Sequence, residues 1–282
     1  MRRATAALAL LAGIALAPPA RAGTSAQIFE TVTAAQVLAI DPSIRSAGMG
    51  GASAAVFWGV DPNHWANPAL LGTASGIRYE EGVTDDELGR FLTQRTTLGY
   101  GGIGFASAGQ PFDAIGGTDL DFQNILGTGL NSSHHVRSWA AGASLGGLSA
   151  SLARMRGREA WAFTRHVDLA LGYSENSVEE VISGGDPGPV TSGRVVVKDW
   201  GMLVRGAAPV RLGAAASGRL EGAYAFSAQN FTDATFEDPV GARTPVGQDF
   251  RNGVALHLAL DPSADWDERL PEWLARGLMP LV

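Results

Sequence analysis

The feature that most constrains this chain is a period-two alternation in which one face is large and apolar and the other small or polar. In 250–260, FRNGVALHLAL, Phe250, Val254, Leu256, Leu258 and Leu260 oppose Arg251, Gly253, Ala255, His257 and Ala259. In 163–173, FTRHVDLALGY, Phe163, Val167, Leu169, Leu171 and Tyr173 oppose Thr164, His166, Asp168, Ala170 and Gly172, with Arg165 out of place. In 198–206, Trp200, Met202 and Val204 oppose Asp199, Gly201 and Arg205; in 219–228, Leu220, Tyr224 and Phe226 share a face with Gly222. Successive side chains of an extended chain point to opposite faces, so the pattern predicts strands.

Weaker patterns predict further strands at 76–80, 89–98, 99–107, 136–145 and 147–156, the last two joined by a Gly146-Gly147 hairpin turn. Polar connections are expected at 108–134, 174–193 and 228–249. A soluble β-sandwich also alternates, but its strands average about 5–6 residues, and those predicted here are about twice as long. A small and polar second face suits a wet or filled lumen. The expectation is therefore an all-β fold, an antiparallel transmembrane β-barrel.

The N-terminus agrees with that compartment. Arg2 and Arg3, an apolar run over 4–17 and Ala20-Arg21-Ala22 have the layout of a secretory signal peptide, 1–22, cleaved near Ala22. After Gly23, Gly, Asp, Arg or Pro interrupts every apolar stretch before the ~18 residues of a membrane helix, so a membrane-spanning reading requires strands. The 37 glycines are scattered through the alternating segments, as closely packed strands would have them, and not gathered in a linker. There is no cysteine for a disulfide or lipid anchor, and a net charge of −7 argues against a nucleic-acid partner.

Residues 45–72 carry a more specific pattern. Arg45, Gly48, Met49, Gly50, Gly51 and Ala52 are followed by Asp61, Trp65, Asn67, Pro68, Ala69 and Leu71. This resembles the N-terminal signature of PorV/PorQ proteins within the FadL-like outer-membrane barrels, over about residues 37–72. The resemblance implies an N-terminal hatch, 23–75, folded into a barrel formed by 76–282. Gly48, Gly50, Gly51 and Asp61 would shape the hatch backbone, glycine allowing close approach and Asp61-Pro62 setting a turn. Phe57, Trp58, Trp65, Asn67 and Pro68 are the plug and gating candidates, and His166, Asp168 and His257 the lumen-lining ones.

Two departures are visible. Leu70 stands where the family pattern has glycine after Asn-Pro-Ala. The chain ends DERLPEWLARGLMPLV, without the aromatic-ended final strand of such barrels. The nine predicted strands are odd in number and fewer than the resemblance implies, so truncation at the C-terminus is one reading.

Other motifs carry less. Gly142-Ala143-Ser144-Leu145-Gly146 matches G-x-S-x-G, but a nucleophile elbow needs a following helix, and a second strand is predicted there. Gly99, Gly101 and Gly104 fit G-x-G-x-x-G without the strand and helix a dinucleotide site requires. His134 and His135 are adjacent, so on one strand they point to opposite faces and share no metal.

The sequence therefore predicts a non-enzymatic protein with no cofactor and no metal, resident in the outer membrane of a Gram-negative cell. Outer-membrane lipid surrounds it, and its traffic is a hydrophobic small molecule or an exported protein. The passage of hydrophobic solutes is the leading function. A partner-binding barrel of a secretion system is the second, and a periplasmic serine hydrolase using Ser144 is a distant third.

Overall fold

The computed structural model describes residues 38, 43, 46, 53–58, 62–86, 89–113, 131–183, 190–212, 216–237 and 243–261. The strands are β1 (Gly76–Asp86), β2 (Gly89–Tyr100), β3 (Ile103–Asp113), β4 (Asn131–Ser144), β5 (Val167–Ser183), β6 (Val190–Leu212), β7 (Ala216–Gln229), β8 (Thr235–Glu237), β9 (Arg243–Pro245) and β10 (Asp249–Asp261). Among the described segments a helix, α1 (Leu145–Arg156), lies between β4 and β5, and short 3-10 turns form at Pro68–Thr73 and Ala162–Arg165.

Eight strands form one antiparallel sheet in the order β1-β2-β3-β4-β5-β6-β7-β10, and β8 pairs with β9 beside it. The all-β antiparallel expectation is met. Closure is not: β1 and β10 stand at opposite ends of an open sheet. Because every neighbouring pair is antiparallel, these two edge strands run in opposite directions.

Three local expectations need correction. Residues 147–156 are helix and not strand, so Gly146-Gly147 is no hairpin turn. The helix is capped by Ser144, whose Oγ accepts from Gly147 N at 3.1 Å, and by Gly157 in the left-handed region at φ 59°. Its outward residues Leu145, Leu148, Leu152 and Met155 recur at helical spacing, while Gly146, Gly147, Ala150 and Ala153 pack inward. The strand expected from Phe163 starts at Val167, because Ala162–Arg165 is a 3-10 turn. The connection expected at 174–193 is mostly strand, with β5 running to Ser183 and β6 starting at Val190.

A two-residue hairpin turn joins β2 to β3. Gly101 and Gly102 adopt φ of +63° and +86°, both positive as a type I′ turn demands. A Cβ on Gly102 would come within 2.6 Å of Gly147 backbone atoms, so the turn is also the seat of α1.

The two faces of the sheet are inverted relative to a water-soluble protein. The buried face carries many small and polar residues, among them Arg95, Thr97, Ser138, Asp168, Ser174, Asn176, Asp199, Arg205, Arg219 and Glu221, beside the apolar Val136, Val178, Val195, Val197 and Leu203. The exposed face carries Ile77, Leu98, Phe105, Trp139, Leu171, Trp200, Val254, Leu256 and Leu258.

Candidate functional site

The site is the contact between the N-terminal segment and the buried face of the sheet. Its floor comes from glycines that the register brings into line. Gly99 pairs with Gly104, Gly104 with Gly142, Gly142 with Gly172, and Gly172 with Gly201, one glycine on each of β2 to β6. These glycines floor a trough across five strands, and residues 67–74 lie in it.

The fit is backbone to backbone. A Cβ on Gly142 would lie 2.7 Å from Pro68 O and 2.9 Å from Gly72 N. One on Gly172 would overlap the Pro68–Ala69 peptide, one on Gly104 the Leu71 carbonyl, and one on Gly99 Ala74. Only hydrogen at Cα admits a chain this close to a sheet, and that requirement explains glycine here.

Asn67 organises the segment. It is fully buried; Oδ1 accepts from Ala69 N at 3.0 Å, and Nδ2 donates to Ala54 O at 3.1 Å and to Met202 O at 3.2 Å. The side chain thus caps the 3-10 turn, joins it to the preceding loop and ties both to β6. Pro68 occupies the first position of the turn, where its fixed φ suits the geometry and no N–H is needed. Leu70 is 1% exposed and packs with Phe57, Ala170, Leu203, Ala223, Ala225 and Ala255, so the turn directs this side chain into the interior.

The aromatic candidates divide. Phe57 is buried beneath the Arg205 guanidinium, 5.5 Å from its ring centre, and meets Trp58 edge-on at 5.1 Å. Trp58 is half-buried and stacks on His257 at 5.2 Å and 14°. Trp65 sits apart with Val136, Val178, Val195 and Val197, and its Nε1 donates to Leu38 O at 3.2 Å. Gly48, Gly50, Gly51 and Asp61 fall outside the described residues.

The lining candidates divide too. Asp168 is fully buried and accepts from Ser144 Oγ at 2.9 Å, Gly146 N at 2.7 Å and Arg205 Nε at 3.1 Å. It thereby joins β4, β5, β6 and the first turn of α1. His257 is half-buried, with Nδ1 3.6 Å from Glu221 Oε2. His166 caps the 3-10 turn before β5 and is exposed, away from the face that holds Asp168.

Ser144 does have a helix after it, contrary to the sequence reading. Its backbone is ordinary extended chain, φ −112° and ψ 127°, its side chain is fully buried, and its hydroxyl is engaged with Asp168 and Gly147. A nucleophile elbow needs the reverse, a strained and exposed serine. Among the described residues no group of three or more His, Cys, Asp or Glu could hold a metal ion.

Sequence reasoning missed the contacts of Arg205 and Ser144 with Asp168 and the joint role of the glycines. Gly172 and Gly201 were already on predicted small faces; what was missing was the register that aligns them. Compared with models of protein families, with curated proteins and with solved structures, the chain matches none.

Proposed function

We propose that the chain is an outer-membrane β-barrel protein of the PorV/FadL-like kind, in which the N-terminal segment, 23–75, is an inner hatch and hydrophobic solutes pass between hatch and wall. One observation carries this reading, the inversion of the two faces. Trp139, Tyr173, Trp200, Phe226 and Phe250 form a row across β4, β5, β6, β7 and β10, neighbouring rings 5.2–6.4 Å apart where pairs touch; Tyr173 and Trp200 are direct partners in the ladder.

On one side of that row the outward positions carry charge, with Arg137, Glu175, Glu179, Arg194 and Lys198. Among the strand residues described as exposed from the row to the α1 end, none is Asp, Glu, Lys or Arg. The ionisable groups at that depth face inward and meet partners, as in Asp168–Arg205 and Glu221 beside His257. A soluble sheet loses free energy with such an arrangement, at about 25 cal/mol per Å² of exposed apolar surface. A bilayer reverses the sign, and an aromatic row at the boundary of an apolar band is the girdle of a membrane barrel.

Lipid also demands that β1 and β10 be paired, since an open edge leaves backbone groups without water. Their opposite directions suit antiparallel closure. Within the sheet, Val136, Val178, Val195 and Val197 offer an apolar wall beside Trp65, and Trp58 on His257 stands where a path past the hatch would open.

The test is fractionation of expressing Gram-negative cells, with each fraction run unboiled and boiled on a denaturing gel. A band in the outer-membrane fraction that shifts on boiling is expected, together with uptake of a fluorescent long-chain fatty acid. Protein found only in the soluble periplasm overturns the reading.

A further inference from the structure

The α1 end of the molecule carries an apolar surface that the sheet does not use. Leu145, Leu152 and Met155 on the helix are 38%, 37% and 72% exposed, although each is the type of residue a soluble helix would bury. Beyond the helix, Trp161 and Phe163 stack at 6.0 Å and are 50% and 56% exposed. This surface runs on into the outward face of the sheet through Tyr100 and Val167, each 40% exposed.

Basic charge sits beside it. Arg154, Arg156 and Arg158 follow one another at alternate positions around the helix end, with Glu159 the acidic neighbour. The Arg154 guanidinium lies over the Tyr100 ring at 5.6 Å and donates to its hydroxyl, so this charge is held at the edge of the apolar band. Arg156 and Arg158 are exposed. In a chain of net charge −7, a local excess of cations next to exposed aromatic and aliphatic side chains has the chemistry of a lipid headgroup contact.

We infer that α1 and the 3-10 turn after it lie in the headgroup layer of the membrane leaflet and bind anionic phospholipid, the arginines meeting phosphate and Leu152, Met155, Trp161 and Phe163 entering the acyl boundary. The inference rests on the membrane reading above and adds a lipid class and a place to it.

The experiment refolds the full chain, wild type and the R156Q/R158Q variant, into vesicles of phosphatidylcholine with and without phosphatidylglycerol. Native mass spectrometry then counts the lipids each protein retains on release into detergent, and a boiling-shift gel reports folding in each vesicle. The expected result is that wild type retains phosphatidylglycerol over phosphatidylcholine and that the variant's preference falls roughly fivefold for each arginine removed. Both proteins should show the shifted band in pure phosphatidylcholine. Equal retention of the two lipids by wild type, or an unchanged preference in the folded variant, overturns the inference and leaves the barrel reading standing. Absence of a shifted band for wild type in either vesicle removes the barrel reading and this one with it. Should the double variant fail to fold, R158Q alone, outside the helix, carries the same comparison.

Discussion

Asn67 Oδ1 occupies the space that a Cβ on Gly201 would need. The same oxygen caps the 3-10 turn, and the amide nitrogen on the same side chain binds the Met202 carbonyl one residue along β6. Turn and sheet are therefore joined at one point, where the sheet has no side chain and the turn supplies a polar one.

Replacing Gly201 with alanine should push Asn67 off its carbonyl partner. Forcing a methyl group into a filled site typically destabilises by about 1–3 kcal/mol. The expected outcome is a lower temperature of loss of the compact band on unboiled gels. Gly206→Ala provides the control, since its Cβ would meet only His166 O at 3.7 Å, an ordinary contact. Equal behaviour of the two variants would show that the trough is not tightly occupied.

Asn67→Ala removes three hydrogen bonds at a fully buried position, those to Ala54 O, Met202 O and Ala69 N. Leaving buried polar groups unsatisfied costs about 1–3 kcal/mol. With Pro68→Ala added, the turn also loses its fixed φ. The double variant should raise the leak of an apolar dye into proteoliposomes, and wild-type permeability would count against gating by this turn.

Asp168 and Arg205 form a buried pair whose oxygens are further held by Ser144 and Gly146. Removing one partner leaves an uncompensated charge, at about 3–5 kcal/mol. Asp168→Leu is expected to lower the urea midpoint strongly, and Asp168→Leu with Arg205→Met to recover most of the loss. Failure of the second change to recover stability would place the weight on the α1 cap and not on the ion pair.

Leu171 is 52% exposed on the outward face and pairs with Met202 and Ala143 on its neighbours. In water, arginine there would be harmless. At the middle of a bilayer it costs about 2–4 kcal/mol. Leu171→Arg should reduce the folded fraction in vesicles, while Glu179→Arg, beyond the aromatic row, should leave it unchanged. Wild-type folding of Leu171→Arg would argue that no lipid covers this face.

The alternation at 198–206, 219–228 and 250–260 was readable because each segment repeats one rule over many residues, and pleating enforces it regardless of what lies nearby. Helix α1 was misread although Leu145, Leu148, Leu152 and Met155 have helical spacing and Ser144 and Gly157 are sound caps. Gly146-Gly147 suggested a hairpin, and a helix whose small residues pack inward lacks the usual apolar core face. The 3-10 turn at Ala162–Arg165 was missed for a related reason, since Phe163 continues the strand's alternation by coincidence.

The sequence by itself determined which residues share a face, because that depends only on local backbone geometry. It also placed Asn67-Pro68 as a turn, through the side-chain oxygen of one residue and the fixed φ of the next. The tertiary structure alone decided that Gly99, Gly104, Gly142, Gly172 and Gly201 form one trough, that Asp168 meets Arg205 and Ser144, and that Trp58 rests on His257. Those relationships depend on strand register, and a slip of one residue would turn every such side chain to the other face. Register is set by the sum of pairings along eight strands, which no single segment encodes.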